Sequence, residues 1–148
     1  MSRHALSPWV LVVALTAVAS AALSPELTKA LDTATYVYVQ SERKSGEMSK
    51  PAEIWFFVDK GIVYVGTRPT SFRVKRIKAG RTKARIAVGT VDGPSFEATG
   101  AIVKDPAVQE RMMAAYAKKY PEGWAKFADG FRDGFKTGER VLVAYTPL

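Results

Sequence analysis

Cysteine is absent from this 148-residue chain, and histidine occurs once, as His4. No disulfide can form, and no thiolate is present to act as nucleophile or soft metal ligand. His4 lies in a segment expected to be removed, so the mature chain is expected to hold no imidazole. That excludes a Ser-His-Asp triad, a Cys nucleophile and the usual zinc sites. A hydrolase using carboxylates alone stays open, without positive support. Acid is locally missing as well: no Asp or Glu occurs between Asp59 and Asp92. The apolar run from Trp9 to Val18 is shorter than the roughly 20 residues that span a bilayer. There is no twin-arginine pair, internal repeat or low-complexity segment.

What fills the acid-free stretch is positive charge. Arg68, Arg73, Lys75, Arg76, Lys78, Arg81, Lys83 and Arg85 equal in number the formal net charge of +8. Thr67, Thr70 and Ser71 stand among the first of them, directly after an apolar hairpin. Hydroxyls at the start of a cationic run, where a helix N-terminus is expected, are a pattern for holding phosphate. The other reading is a solvated basic face.

At the N-terminus, Arg3 and His4 precede the apolar run, and Ala19-Ser20-Ala21 follows it as a small-residue cleavage pattern. This reads as a secretory signal over residues 1–21, leaving a single domain over 22–148. The expected location is exported, periplasmic or secreted, or membrane-anchored if the signal is not cut.

Along the mature chain, Ser24-Pro25-Glu26 opens a helix with Ser as cap and Pro at the first position. Thr35 to Gln40 reads as a strand. Ser41 to Lys50 reads as an exposed loop, and Ala52 to Val58 as one strand covered on both faces. Asp59-Lys60-Gly61 turns into a strand over Ile62 to Gly66. A short helix over Phe72 to Lys78 follows, capped by Thr70 or Ser71 and ended by Gly80. Two strands come next, Lys83 to Val88 and Ser95 to Val103, separated by the Asp92-Gly93 turn. Asp105-Pro106 opens a helix, which Pro121 and Gly123 break. Trp124, Phe127, Phe131 and Phe135 then recur at helical spacing as a packing stripe, weakened by Gly130 and Gly134. Arg140 to Thr146 closes the chain as a strand. Six short strands with helices grouped late give α+β with a mainly antiparallel sheet, of a size that closes into a small barrel.

Pro51 to Phe57, Asp59-Lys60-Gly61, Tyr64-Val65, Thr67 and Ser71 to Ile77 resemble the pyridoxamine 5'-phosphate oxidase-like split β-barrel, especially its flavin- and deazaflavin-dependent reductase branch. The resemblance runs over nearly the whole mature chain, on short motifs. It implies a split barrel of about six mainly antiparallel strands with helices packed outside. It also implies a cofactor, either riboflavin phosphate (FMN) or the deazaflavin coenzyme F-420, and a homodimer. By position, Thr67 and Ser71 would give hydroxyls to the cofactor phosphate. Arg73 stands where the family often has Lys, Lys75 and Arg76 add charge, and Trp55 on its strand lies beside the ring. Gly80-Arg81-Thr82 replaces the family's usual Asn-Pro, and an export signal is unusual in the family.

The function expected is therefore an oxidoreductase moving hydride between a phosphate-bearing cofactor and a small-molecule substrate. Two other readings stand beside it. One is a non-catalytic exported module that binds a flavin, haem or another anionic ligand. The other is a basic binder of envelope polymers; nucleic acid is disfavoured by the export signal and the absence of a recognised motif.

Overall fold

A computed structural model describes residues 21–148; the expected signal segment lies almost wholly outside them. Eleven elements follow one another: α1 (Pro25–Thr33), β1 (Val37–Ser41), β2 (Ala52–Ile54), β3 (Phe57–Asp59), β4 (Ile62–Thr67), α2 (Phe72–Lys78), β5 (Lys83–Val88), β6 (Ser95–Val103), α3 (Pro106–Lys119), α4 (Pro121–Thr137) and β7 (Val141–Pro147). The strands form one seven-stranded sheet in the order β2-β1-β5-β6-β7-β4-β3, and every pairing is antiparallel. This is the expected α+β split barrel, with one strand more than expected. No helix among the described residues is long and apolar enough to cross a membrane.

The extra strand comes from a break. The single strand expected over Ala52 to Val58 divides at Trp55-Phe56. β2 pairs with β1 at one edge of the sheet, while β3 pairs with β4 at the other. Two residues cannot bridge the edges of a flat seven-stranded sheet, so this linkage rolls the sheet and brings its edges together. Tyrosines of α3 and its end hold the break. The Tyr116 hydroxyl donates to the Trp55 carbonyl at 3.1 Å, and the Phe56 N–H donates to the Tyr120 hydroxyl at 3.2 Å. Tyr120 in turn donates to the Thr35 carbonyl at 2.7 Å. These bonds replace the ladder bonds that the backbone forfeits there. The stretch is also less covered than its apolarity implied, since Ala52 and Glu53 are exposed.

Alternation along the strands separates two packed layers. Val63, Val65, Val143 and Tyr145 join Val37, Val39, Ile86 and Val88 inside the barrel. Their neighbours Tyr64, Leu142 and Ala144 face outward against Met112, Tyr116, Trp124, Phe131 and Phe135 of α3 and α4. β4 and β7 are thus covered on both sides, which is why their sequences read as unbroken apolar runs. The β3–β4 hairpin turns on Lys60 and Gly61, both at positive φ, 51° and 76°. That is the twist a two-residue hairpin needs.

Helix ends follow the sequence signals. Ser24 caps α1 through the Leu27 N–H, and Asp105 caps α3 through the N–H groups of Ala107 and Val108. α3 and α4 meet at Tyr120 alone, and Pro121 begins α4. Gly123 does not break the helix; it lies in the first turn of α4.

Candidate functional site

The eight cations from Arg68 to Arg85 do not converge. Lys75, Lys78, Lys83 and Arg85 are exposed on α2 and β5, whereas Arg73, Arg76 and Arg81 are partly buried. Arg85 is turned to Ser95, whose Oγ accepts from its Nη2 at 3.1 Å. Two concave sites hold most of the residues singled out in the sequence.

The first is a cleft of about 630 Å3 between the β1–β2 connection and the start of α2. Its wall includes Ser41, Arg43, Ser49, Lys50, Ser71, Arg73 and Arg76. The β1–β2 side is fixed by backbone and side chain together. Ser49 donates its N–H to the Ser41 carbonyl at 2.8 Å, and its Oγ accepts from the Ser41 N–H at 3.0 Å. Gln40 Nε2 donates to the Ser49 carbonyl at 2.9 Å. Across the cleft, Arg76 Nη1 donates to Ser41 Oγ at 2.7 Å.

Charge in this cleft is uncompensated. The described residues form two ion pairs, Arg111–Asp59 and Arg132–Asp129, and neither involves a cleft arginine. Burial lowers the Arg76 pKa from its usual value, and the positive charges of Arg43 and Arg81 lower it further. Of these, Arg43 and Arg76 line the cleft, where a bound anion would offset their repulsion. Ser71 sits at the N-cap position of α2, yet its Oγ makes no capping bond. That Oγ and Arg73 Nη1 are both buried without a hydrogen-bond partner among the described residues. A buried donor left unmatched costs about 1–3 kcal/mol.

The second site is a shallower groove of about 370 Å3 lined by Glu53, Ile54, Trp55, Gly66, Thr67, Arg68, Phe127, Phe131 and Arg140. Its large side chains lie against glycines. A Cβ on Gly123 would come within 2.5 Å of Trp55 Cζ2, and one on Gly66 within 2.6 Å of Phe131 Cε1. A Cβ on Gly134 would come within 2.5 Å of Arg140 Cγ. These glycines are required by close approach of a neighbouring side chain, at negative φ. Trp55 also stacks on Tyr120, with ring centroids 4.3 Å apart and planes 7° from parallel. Glu53 is engaged by the Tyr38 hydroxyl at 2.7 Å, which raises the Tyr38 pKa.

Of the residues singled out in the sequence, Ser71, Arg73 and Arg76 therefore meet in the cleft. Thr67 and Trp55 lie in the groove, and Lys75 lines neither. Lys75 Nζ instead sits 5.7 Å from the centre of the exposed Phe72 ring. Sequence reasoning missed Ser41, Arg43, Ser49 and Lys50. They stand in a polar stretch that read as a solvated loop, and only the pairing of β1 with β2 brings them opposite α2. It also missed Arg140, whose neighbours gave no signal beyond the start of a strand. A third cavity, about 530 Å3 beside α1 and the β3–β4 turn, is lined by Leu31, Asp32, Val58, Lys60 and Thr146 among others. It gathers no comparable set of cations and hydroxyls.

No protein-family model matches the chain, and no curated protein does. Solved structures do. A putative pyridoxamine 5'-phosphate oxidase from Listeria innocua is 12% identical, with a TM-score of 0.59, over 82% of this chain and 90% of that one. An F420 reductase is 19% identical, with a TM-score of 0.53, over 81% and 91%. HutZ, a haem storage protein from Vibrio cholerae, is 13% identical, with a TM-score of 0.60, over 86% and 92%. The fold is that of the pyridoxamine 5'-phosphate oxidase-like split barrels, as the sequence motifs implied. At these identities the likeness speaks for the fold, which serves proteins of different function.

Proposed function

We propose that the cleft holds the phosphate of a flavin or deazaflavin coenzyme and that the protein is an oxidoreductase acting on a small molecule. The observation that carries this reading is the pair of buried, unpartnered donors, Ser71 Oγ and Arg73 Nη1, in a cleft with no balancing acid. Arg73 and Arg76 supply guanidinium donors suited to phosphate oxygens, and Ser71 a hydroxyl. Ser41 is held by Arg76 and shapes the cleft wall. Because α2 has only seven residues, the site rests on these side chains and not on a helix dipole.

β2 connects the two sites. Ala52 lines the cleft, while Glu53, Ile54 and Trp55 line the groove. An elongated cofactor anchored in the cleft would have this strand and its outgoing turn to lie along. A bound flavin or deazaflavin supplies the hydride chemistry, and the protein's part is binding, orientation and exclusion of water. Trp55, Phe127 and Phe131 are the side chains placed to exclude water from the groove.

The test is a fluorescence titration of the protein with riboflavin phosphate and with the deazaflavin coenzyme, beside an Arg73→Ala variant. Saturable binding weakened roughly tenfold or more in the variant is expected. Absence of binding to either coenzyme at about 50 μM, a concentration at which a micromolar site is saturated, would sink the reading. Substrate-dependent oxidation of the bound, reduced cofactor separates an enzyme from a module that binds without turnover.

A further inference from the structure

We infer that the groove between α4 and the end of β4 is a binding site for a small carboxylic acid with a flat apolar body, its carboxylate held by Arg68 and Arg140. The inference deepens the oxidoreductase reading by naming the substrate class, and it rests on that reading only for the reaction, not for the binding. Arg68 follows β4 and Arg140 precedes β7, the strands paired through Thr67 and Val141. The pairing places the two guanidinium-bearing residues side by side at one end of the sheet. Both line the groove, and neither is in an ion pair among the described residues. The one hydrogen bond of the Arg140 guanidinium among these residues is a long one, 3.4 Å, to the carbonyl of the adjacent Glu139. Burial first and the charge of Arg68 second lower the Arg140 pKa, while Glu139 opposes the shift.

The Arg140 stem is seated on a glycine of α4. Gly134 lies inside α4, where glycine is a poorer helix former than alanine. Gly134 leaves room for the Arg140 stem, and the Arg140 guanidinium then lies 5.4 Å from the centre of the Phe131 ring. An arginine carried over a helix on glycine and spread against an aromatic face is held in place with its remaining donors open. The other walls are apolar: Trp55, Phe131 and Phe127, the last 44% exposed although it belongs to the aromatic stripe of α4. A flat apolar body gains by covering these rings. Two adjacent guanidinium groups match the planar, two-oxygen geometry of a carboxylate. The hydroxyls that suit a phosphate gather in the cleft; the groove has one, on Thr67. Glu53, the acid on the groove wall, accepts from the Tyr38 hydroxyl on the neighbouring strand.

Calorimetric titration of the full chain with 2-naphthoate and with its uncharged analogue 2-naphthamide tests this, using Arg68→Gln, Arg140→Gln and Arg73→Ala variants. Naphthoate is expected to bind at least roughly tenfold more tightly than naphthamide. Arg68→Gln should remove most of that difference, leave naphthamide binding within about twofold, and leave riboflavin phosphate binding unchanged. Arg73→Ala should not alter naphthoate binding. Arg140→Gln should act like Arg68→Gln; because the Arg140 stem packs on α4, its thermal unfolding is followed as well, and Arg68→Gln decides if that variant does not fold. Equal affinity for acid and amide, no naphthoate binding, or binding indifferent to Arg68 would overturn the inference. Naphthoate binding that depends on Arg68, in a protein that ignores both coenzymes, would uphold the groove and remove the cofactor reading. Coenzyme binding that depends on Arg73, with no naphthoate binding, would do the reverse.

Discussion

Trp55 and Tyr120 stack face to face, 4.3 Å between centroids and 7° from parallel, at the point where the chain leaves one edge of the sheet for the other. The stack and the hydrogen bonds of Tyr120 act on the same two-residue joint. Tyr120→Phe would keep the ring and remove the hydroxyl. It would leave the Thr35 carbonyl and the Phe56 N–H without their partner. The expected loss is about 1–3 kcal/mol of unfolding free energy, read from urea midpoints. An unchanged midpoint would mean that the joint is held by packing alone.

The cleft makes a contrast within one short helix. Arg73→Ala and Arg76→Ala should each weaken riboflavin phosphate binding by roughly tenfold or more, whereas Lys75→Ala should stay within about twofold. All three substitutions remove one positive charge. Equal effects from the three would show that net charge, and not placement, governs binding.

Gly134→Ala puts two effects in opposition. Alanine favours the helix by about 1 kcal/mol. Its Cβ, however, would meet Arg140 Cγ at 2.5 Å and the Arg140 backbone nitrogen at 3.2 Å. Since the second neighbour is backbone, overpacking should win, with a net loss of about 1–3 kcal/mol. A rise in thermal midpoint would show that the Arg140 seat gives way.

Alkaline pH should destabilise the fold through buried phenols. Burial pushes Tyr145 up to about 12, partly offset by the charge of Arg73, and pushes Tyr120 up to about 12. In the unfolded chain a tyrosine ionises near 10, so between pH 10 and 12 the folded state binds more protons. The stability these groups contribute is whole below pH 10 and falls as pH rises through that window. For the well-buried Tyr145 the fall is about 1.4 kcal/mol per pH unit. Tyr145→Phe should shallow this slope. Its hydroxyl also lacks a partner among the described residues, so the same variant should be as stable as the parent at pH 7 or more so, by about 1 kcal/mol. Urea midpoints at pH 7, 10 and 11 for both proteins measure the two effects.

Much of the fold was legible because its signals are local. Ser24-Pro25, Asp105-Pro106 and Lys60-Gly61 each fix a start or a turn through groups only a few residues apart. The apolar runs over Ile62–Gly66 and Val141–Tyr145 belong to strands covered on both faces. The break at Trp55-Phe56 was not legible. An apolar stretch has the same composition whether it pairs along its length or splits between two edges. What splits it are two tyrosine hydroxyls more than sixty residues away in the chain.

By itself the sequence determined the class of the molecule. It fixed an α+β chain without thiol or imidazole chemistry in residues 21–148, and an acid-free stretch in which cations meet few local counter-charges. The tertiary structure decided which of those cations line one concavity. Strand pairing set Ser41, Arg43 and Ser49 opposite Ser71, Arg73 and Arg76, and it set Arg68 beside Arg140. Helical and strand geometry turned Lys75, Lys78, Lys83 and Arg85 to the exterior. Charge is a property of composition, but which charges share a concavity depends on the long-range pairing of the chain.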